Sequence, residues 1–370
     1  MKKEIPLFKV FMPKSVDEKI VKILHSGYIG QGLKVDEFEK RFAKFIKNPY
    51  ALALNSGTSA MHLALRLANI SYGDEVITTP MTCVGTNMPI LAQGGKIIWA
   101  DIDPITGNID PKDIQKKITP KTKAIIMLHF AGNPCEIEEI NLIAKKHNIK
   151  TIEDASHSLG SLYKGEKIGR HSDFVFFSLQ AIKHITTVDG AMLFCKSKDD
   201  YKRGKLLRWF GVDRESKDSF RCEDNIPEYG YHFNMNDVNA TIGLEQLKNL
   251  KTILTRYIEN KNYYDTHLKD IKGITTIPKT KDSISTSWIY TIHTKKRDLL
   301  STWLKKEGIA TSRVHERNDL HKAFEEFKTP LPNLQKFNST QLSIPVGWWV
   351  DDDDRAYIVD SIKRFASRYL

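Results

Sequence analysis

A chain of 370 residues that is 41% hydrophobic and 27% charged has the material for one large domain and a smaller one. It holds no apolar run of about 18 residues, so no membrane span is expected. A formal net charge of +11, mixed with acids as in KDIQKKITPKTK and without a basic run interleaved with aromatics, points to phosphorylated small molecules and away from nucleic acid and membrane.

The start, MKKEIPLFKVFMPKSVDEK, lacks the apolar stretch of a signal peptide. Ser15 and Glu18 have capping-box spacing, and Val16, Ile20, Ile23 and Leu24 then recur at helical intervals. The turn Ser26-Gly27-Tyr28-Ile29-Gly30-Gln31-Gly32 follows, by its own chemistry a flexible helix connection. A second amphipathic helix carries Val35, Phe38, Phe42 and Phe45. Residues 50–54 read as a strand that runs through Asn55-Ser56-Gly57-Thr58-Ser59 into a helix over 60–68. Strand, small-residue turn and helix start form a phosphate-binding geometry. Gly57 lets the backbone approach closely, and free N–H groups at the helix start carry partial positive charge. Thr58 or Ser59 equally suits a plain N-cap.

Short strands are expected at 75–79, 96–103, 123–129 and 149–153, with a helix over 136–147 that lines up Ile137, Ile140 and Ala144. Alternating strands and helices from about residue 50 to 195 predict an α/β domain with a mostly parallel sheet. Such sheets bind ligands at the carboxyl ends of their strands. Cys83, Asp154, Ser178 and the Asn55–Ser59 turn all fall at such ends.

Residues 173–195, DFVFFSLQAIKHITTVDGAMLFC, pair two apolar runs as a hairpin around Thr186, Thr187 and an Asp189-Gly190 turn. One lysine, Lys183, stands between them. Buried in a cleft floor, its amine would lose pKa and become a nucleophile toward a carbonyl. Taken alone it reads first as one more of the 56 basic residues on the surface.

Residues 205–212 read as a helix end with two aromatics, and 225–236 as a polar, aromatic loop. A long helix runs from Asp237 toward residue 272. The domain boundary is placed inside it, near 250, giving a large unit 1–250 and a smaller α/β unit 251–370, with the arm 1–35 packing near the site. The smaller unit has a strand at 287–293, a helix at 298–307 and a C-terminal helix through Ile358, Ile362 and Phe365. Asp351 to Asp354 suit that helix's N-terminus. Cys83, Cys135, Cys195 and Cys222 are scattered without a CxxC pair, so neither a metal site nor a disulfide framework is expected, and a cytoplasmic location is the default.

A lysine for an aldehyde, an anion nest for a phosphate and a carboxylate for a ring nitrogen are what pyridoxal 5′-phosphate needs. Lys183, the Gly57-Thr58 turn with Ser178, and Asp154 could supply these in turn, although a strand-end Asp alone is more often a cap or ion-pair partner. NSGTSAMHLAL, EDASHSLG, FSLQAIKHITTVDG and GYHFNMNDVNATIGLEQL occur in one order. With the SGYIGQG turn they resemble the DegT/DnrJ/EryC1/StrS aminotransferases, which act on nucleotide-linked keto sugars, over nearly the whole chain.

That resemblance implies an aspartate-aminotransferase-like fold (fold type I) and a homodimer with a shared active site. It makes Lys183 the Schiff-base lysine and proton carrier, and Asp154 the pyridine-nitrogen partner. His157 would lie near the ring 3′-oxygen, with Gly57, Thr58 and Ser178 on the phosphate. The sequence departs from the family pattern in three places. Cys83 stands in the usually aromatic ring-stacking slot. In the loop expected to reach the partner subunit's phosphate, His232 replaces Asn and Asn234 replaces a basic residue. His184 follows the lysine, but Lys183 itself is retained, which favours transamination over sugar 3-dehydration.

Glutamate is the expected amino donor, with pyridoxamine 5′-phosphate as the intermediate form of the cofactor. Tyr28, Gln31, Arg208, Arg313 and His315 are the candidate substrate residues. Arg208 and Arg313 are suited to a diphosphate and equally to an ordinary surface. The alternatives are the same chemistry on a non-nucleotide ketose or ketose phosphate, and a cofactor-binding regulator without turnover.

Overall fold

The computed structural model describes residues 4–215 and 225–370. Helices α1 (Val16–Leu24) and α2 (Leu33–Ile46) lead into strand β1 (Ala51–Leu54) and helix α3 (Gly57–Leu67). There follow β2 (Glu75–Thr78), α4 (Val84–Ala92), β3 (Lys96–Trp99), α5 (Pro111–Lys117), β4 (Thr122–Leu128), α6 (Ile137–Lys146) and β5 (Lys150–Asp154). After the short strands β6 (Leu162–Tyr163) and β7 (Glu166–Lys167) come β8 (Phe174–Ser178), β9 (Ala191–Cys195) and α7 (Lys198–Leu207).

These strands build a seven-stranded sheet in the order β1-β9-β8-β5-β4-β2-β3. Five neighbours, β8 to β3, run parallel, while β9 is antiparallel to both β8 and β1. The carboxyl ends of β1, β2, β4, β5 and β8 therefore share one edge. Both faces are covered, as parallel sheets require. Along β8, Phe174 and Phe176 pack into one apolar layer with α3, while Val175 and Phe177 pack into the other with α2.

Helix α8 (Asp237–Leu268) spans the molecule. Its first half packs on α1 and α2, and its second half on β10 (Thr275–Thr276) and α11 (Asp352–Tyr369). It runs unbroken through residue 250. Gly243 sits where a Cβ would come 2.6 Å from the Phe38 ring, so only glycine lets α8 approach α2 this closely. Farther along, the Asn260 side-chain amide lies 3.0–3.2 Å from the carbonyls of Val346, Gly347 and Val350.

Beyond β11 (Ser283–Ile284), a second sheet has the order β10-β12-β13, with β12 at Tyr290–His293 and β13 at Gln341–Ile344. Helices α9 (Arg297–Lys306), α10 (Pro332–Thr340) and α11 complete this part. Asp351 and Asp354 cap α11 reciprocally. Among the described residues no helix is long and apolar enough to cross a membrane, and no group of three His, Cys, Asp or Glu could hold a metal.

Two expectations of local structure are corrected. Ser15 makes no capping bond; it has helical dihedrals, and its hydroxyl donates to Glu245 on α8 at 2.8 Å. The N-cap of α3 is Ser56, whose Oγ accepts from the Ser59 N–H, so Thr58 and Ser59 already lie within the helix. Cys222 lies outside the described residues.

Phe42 is fully buried, with its ring centroid 5.8–6.3 Å from those of Phe38, Phe45, Phe177 and Phe194. Phe42→Ala is expected to cost about 3–5 kcal/mol, read as a lower urea midpoint at unchanged slope.

Candidate active site

The turn between β8 and β9 is wider than a tight hairpin. Ser178 pairs with Ala191, and residues 179–190 loop out between them. The threonines close its base. Thr186 Oγ1 donates to the Leu179 carbonyl at 3.0 Å, and the Thr187 N–H donates to the same carbonyl at 2.9 Å. Lys183 is held at the far side, where its N–H donates to the Gln180 carbonyl.

The loop opens into a cavity of about 370 Å³ at the carboxyl edge of the sheet, lined by Ser56, Gly57, Thr58, Thr82, Cys83, Gly85, Thr86, Asp154, His157, Ser178, Gln180, Lys183, Asp189, Trp288 and His315 among others. A larger cavity of about 710 Å³ lies between α2 and α7. It has surface lysines but no buried amine facing a carboxylate, so the smaller one is the candidate.

Asp154 ends β5 and is buried. Its Oδ2 accepts from Thr86 Oγ1 at 2.7 Å and its Oδ1 from the Ser156 N–H at 3.1 Å. Because the Thr86 proton goes to the carboxylate, Thr82, 2.8 Å away, donates to Thr86. This relay fixes the carboxylate's rotamer. Burial lowers the Lys183 amine from its ordinary value to about 8, opposed by the charges of Asp154 and Cys83. About a tenth is thus uncharged at pH 7, far more than for an ordinary lysine. His157 lies flat against Trp288, ring centroids 4.1 Å apart, and its Nε2 is 3.4 Å from Nε2 of His315. Burial holds His157 well below its usual pKa and brings His315 to about 3, so both rings are neutral and one donates to the other.

Pyridoxal 5′-phosphate fits this set. The first N–H groups of α3 open toward the cavity, and a Cβ on Gly57 would lie 3.4 Å from Ser178 Cβ and Oγ, narrowing the mouth of that nest. Nδ1 of His157 is buried without a partner among the described residues. A ligand oxygen in the cavity would satisfy it.

The structure brings Gly57, Thr58, Cys83, Asp154, His157, Ser178, Lys183 and His315 together. It does not bring Tyr28, Gln31, Arg208, Arg313 or His232 to the same cavity within one chain. Tyr28 and Gln31 are engaged by Arg214, and their turn docks on the start of α8 through Asp237. Arg208 is buried, donating to the Ala53 carbonyl at 3.1 Å and to Glu39, so its guanidinium is not free for a diphosphate. Arg313 pairs with Glu316 at 2.7 Å. His232 stacks on Phe210 and meets Trp209 edge-on, though its carbonyl accepts from Asn55 beside the α3 cap.

Sequence reasoning missed Thr82, Thr86, Gln180 and Trp288. Only the threonine pair left a signal, two hydroxyls that flank the Cys83 cap at the start of α4.

Residues 12–363 match the model of the DegT/DnrJ/EryC1/StrS aminotransferase family. The chain belongs to that family. The aminotransferase is 32% identical to the spore coat polysaccharide biosynthesis protein SpsC of Bacillus subtilis, over 97% of this chain and 96% of that protein. It is also 32% identical to the UDP-4-amino-4,6-dideoxy-N-acetyl-beta-L-altrosamine transaminase of Campylobacter jejuni, over 93% of each. Sugar aminotransferase CalS13 from Micromonospora echinospora superposes with a TM-score of 0.94 at 36% identity, covering 97% of this chain and 99% of the other. A putative sugar aminotransferase from Streptococcus pneumoniae, solved in PLP and PMP forms, gives TM-scores of 0.91 and 0.92 at 27% identity and covers at least 99% of both chains. The aminotransferase has fold type I, and its family is PLP-dependent.

Two outcomes are expected. Thr86→Val removes one hydrogen bond to a buried carboxylate, about 1.5–3 kcal/mol, and should weaken retention of pyridoxal phosphate roughly 10- to 100-fold in equilibrium dialysis. His184 and His315, both lowered by burial to about 3, are neutral when folded and protonate below about 6.5 when unfolded. Their contribution to stability is full above that pH and is lost as pH falls toward 3. Urea unfolding should lose up to about 2 kcal/mol per histidine between pH 6.5 and 5.

Proposed function

We propose that this aminotransferase moves an amino group from glutamate to a ketone of a nucleotide-linked keto-deoxysugar, for surface polysaccharide or glycoconjugate synthesis. The observation that carries the reading is the amine of Lys183 facing Asp154 across a cavity closed by the start of α3. The bound cofactor supplies a carbonyl carbon and an electron sink. Gly57, Thr58 and Ser178 hold its phosphate, and Asp154, locked by Thr86, keeps the ring nitrogen protonated. His157 donates to or accepts from the ring oxygen through Nδ1. Lys183 Nζ takes a proton from the donor carbon and returns it, a role suited to an amine with a pKa of about 8. The relatives named as sugar-nucleotide and polysaccharide enzymes support the substrate class over a ketose phosphate.

In this reading residues 1–250 bind the cofactor and 251–370 bring Trp288 and His315 over it. The enzyme works as a homodimer. Tyr28, Gln31, Arg313 and His232 serve the substrate or the partner's cofactor phosphate from outside their own cavity. Support comes from Tyr28, Phe210 and Tyr229, large rings left exposed in one chain. The enzyme works in the cytoplasm, a reading supported by Cys83, Cys135 and Cys195, which are free thiols among the described residues.

The test is the visible spectrum of the pyridoxal-phosphate-loaded protein. Glutamate should convert its absorbance to that of the pyridoxamine form, and a nucleotide-linked keto sugar should restore it. Lys183→Ala should keep its far-UV dichroism and lose both steps. A loaded wild-type protein whose spectrum ignores glutamate would remove the transaminase reading and favour a regulator.

A further inference from the structure

Trp288 lies just before β12 and is buried, yet it lines the cavity. Its Nε1 donates to the Ile182 carbonyl at 2.8 Å, tying the indole to the backbone beside Lys183. The Lys183 amine rests 3.6 Å from the indole ring centroid. Asp154 attracts that amine across the cavity, and the indole is what it touches.

A second set of contacts reaches the same indole from outside. Phe8 stacks on Trp288, centroids 5.0 Å apart at 20°. The segment carrying Phe8 is strapped down along its length. Ile5 exchanges backbone hydrogen bonds with Gly308 and Ala310. The Trp349 and Trp348 indoles donate to the carbonyls of Pro6 and Lys9 at 2.8 and 3.1 Å, and Gln246 donates to Phe11. Nothing in the chemistry of a phosphate nest or a Schiff base calls for this strap.

We propose that Trp288 is a positioning residue for Lys183, its indole face being the seat of the amine whenever that amine is free, and that the N-terminal strap clamps the seat through Phe8. The inference rests on the reading of Lys183 as the reactive lysine. A lysine that leaves and returns in each half-reaction has a flexible four-carbon stem. A π face offers a cation one preferred resting point while leaving it free of a carboxylate. The titratable groups facing this amine are Asp154, Cys83, His157, His184, His315 and Asp189, and the test variants keep all of them.

The test is the pH profile of Lys183 acylation by isotope-coded acetic anhydride, read by peptide mass spectrometry on the full chain freed of cofactor. Trp288→Phe and Trp288→Leu open similar space, but only Phe keeps a π face. Loss of cation–π stabilisation lets the amine deprotonate earlier, so the Leu midpoint should lie about half a pH unit or more below the Phe midpoint. Phe8→Ala, outside the cavity, should lower the wild-type midpoint in the same direction. Coincident Phe and Leu profiles would overturn the seat, and a wild-type profile in Phe8→Ala would overturn the strap. A chain that still converts its spectrum with glutamate but shows those profiles loses only this inference, not the transaminase reading.

Discussion

One antiparallel strand sets the geometry on which the site depends. Because β9 runs against both β8 and β1, the chain must turn back at the carboxyl end of β8, over the edge where the other six strands finish. A parallel crossover there would carry the chain away through a helix. The turn instead hangs a loop, with Lys183 on it, above Asp154 and beside the start of α3. Burial under that loop lowers the amine to about 8, and the same burial keeps His157, His184 and His315 neutral.

The cavity is completed from far along the chain. Trp288 and His315 come from the part built around the second sheet, and Phe8 from the N-terminal strap. Helix α8 makes this possible. Its first half packs on the N-terminal helices, and its second half holds the turn 346–350 through Asn260. A rigid element of 32 residues thus carries the register of the candidate cavity's floor to the segments that roof it. The same packing explains why Gly243 faces Phe38, where any side chain would push the helices apart.

Much of the cradle was legible because it is local. Strand, small-residue turn and helix at 50–68 follow from adjacent residues, as do the apolar runs of β8 and β9 and the acidic cap of α11. The errors share another cause. Ser15 has the composition of a cap, but its hydroxyl is claimed by Glu245, distant in sequence. Ser56, Thr58 and Ser59 all favour a cap chemically, and the extended backbone at Ser56 decides among them. Arg208 reads as a free cation until Glu39 and the Ala53 carbonyl are placed against it.

The sequence by itself determined the class of chemistry. A lone lysine between two apolar runs, a phosphate-type turn and a strand-end aspartate already imply a fold with ligands at its strand ends, because period and turn residues act over a few neighbours. Tertiary structure alone decided how those groups are tuned. Thr86 meets Asp154, the indole of Trp288 meets the lysine amine, and Tyr28 and Gln31 are drawn to Arg214 only after helices and sheet have packed. Hydrogen bonds, desolvation and cation–π contacts depend on distances of a few ångström between segments far apart in the chain, and no local pattern encodes them.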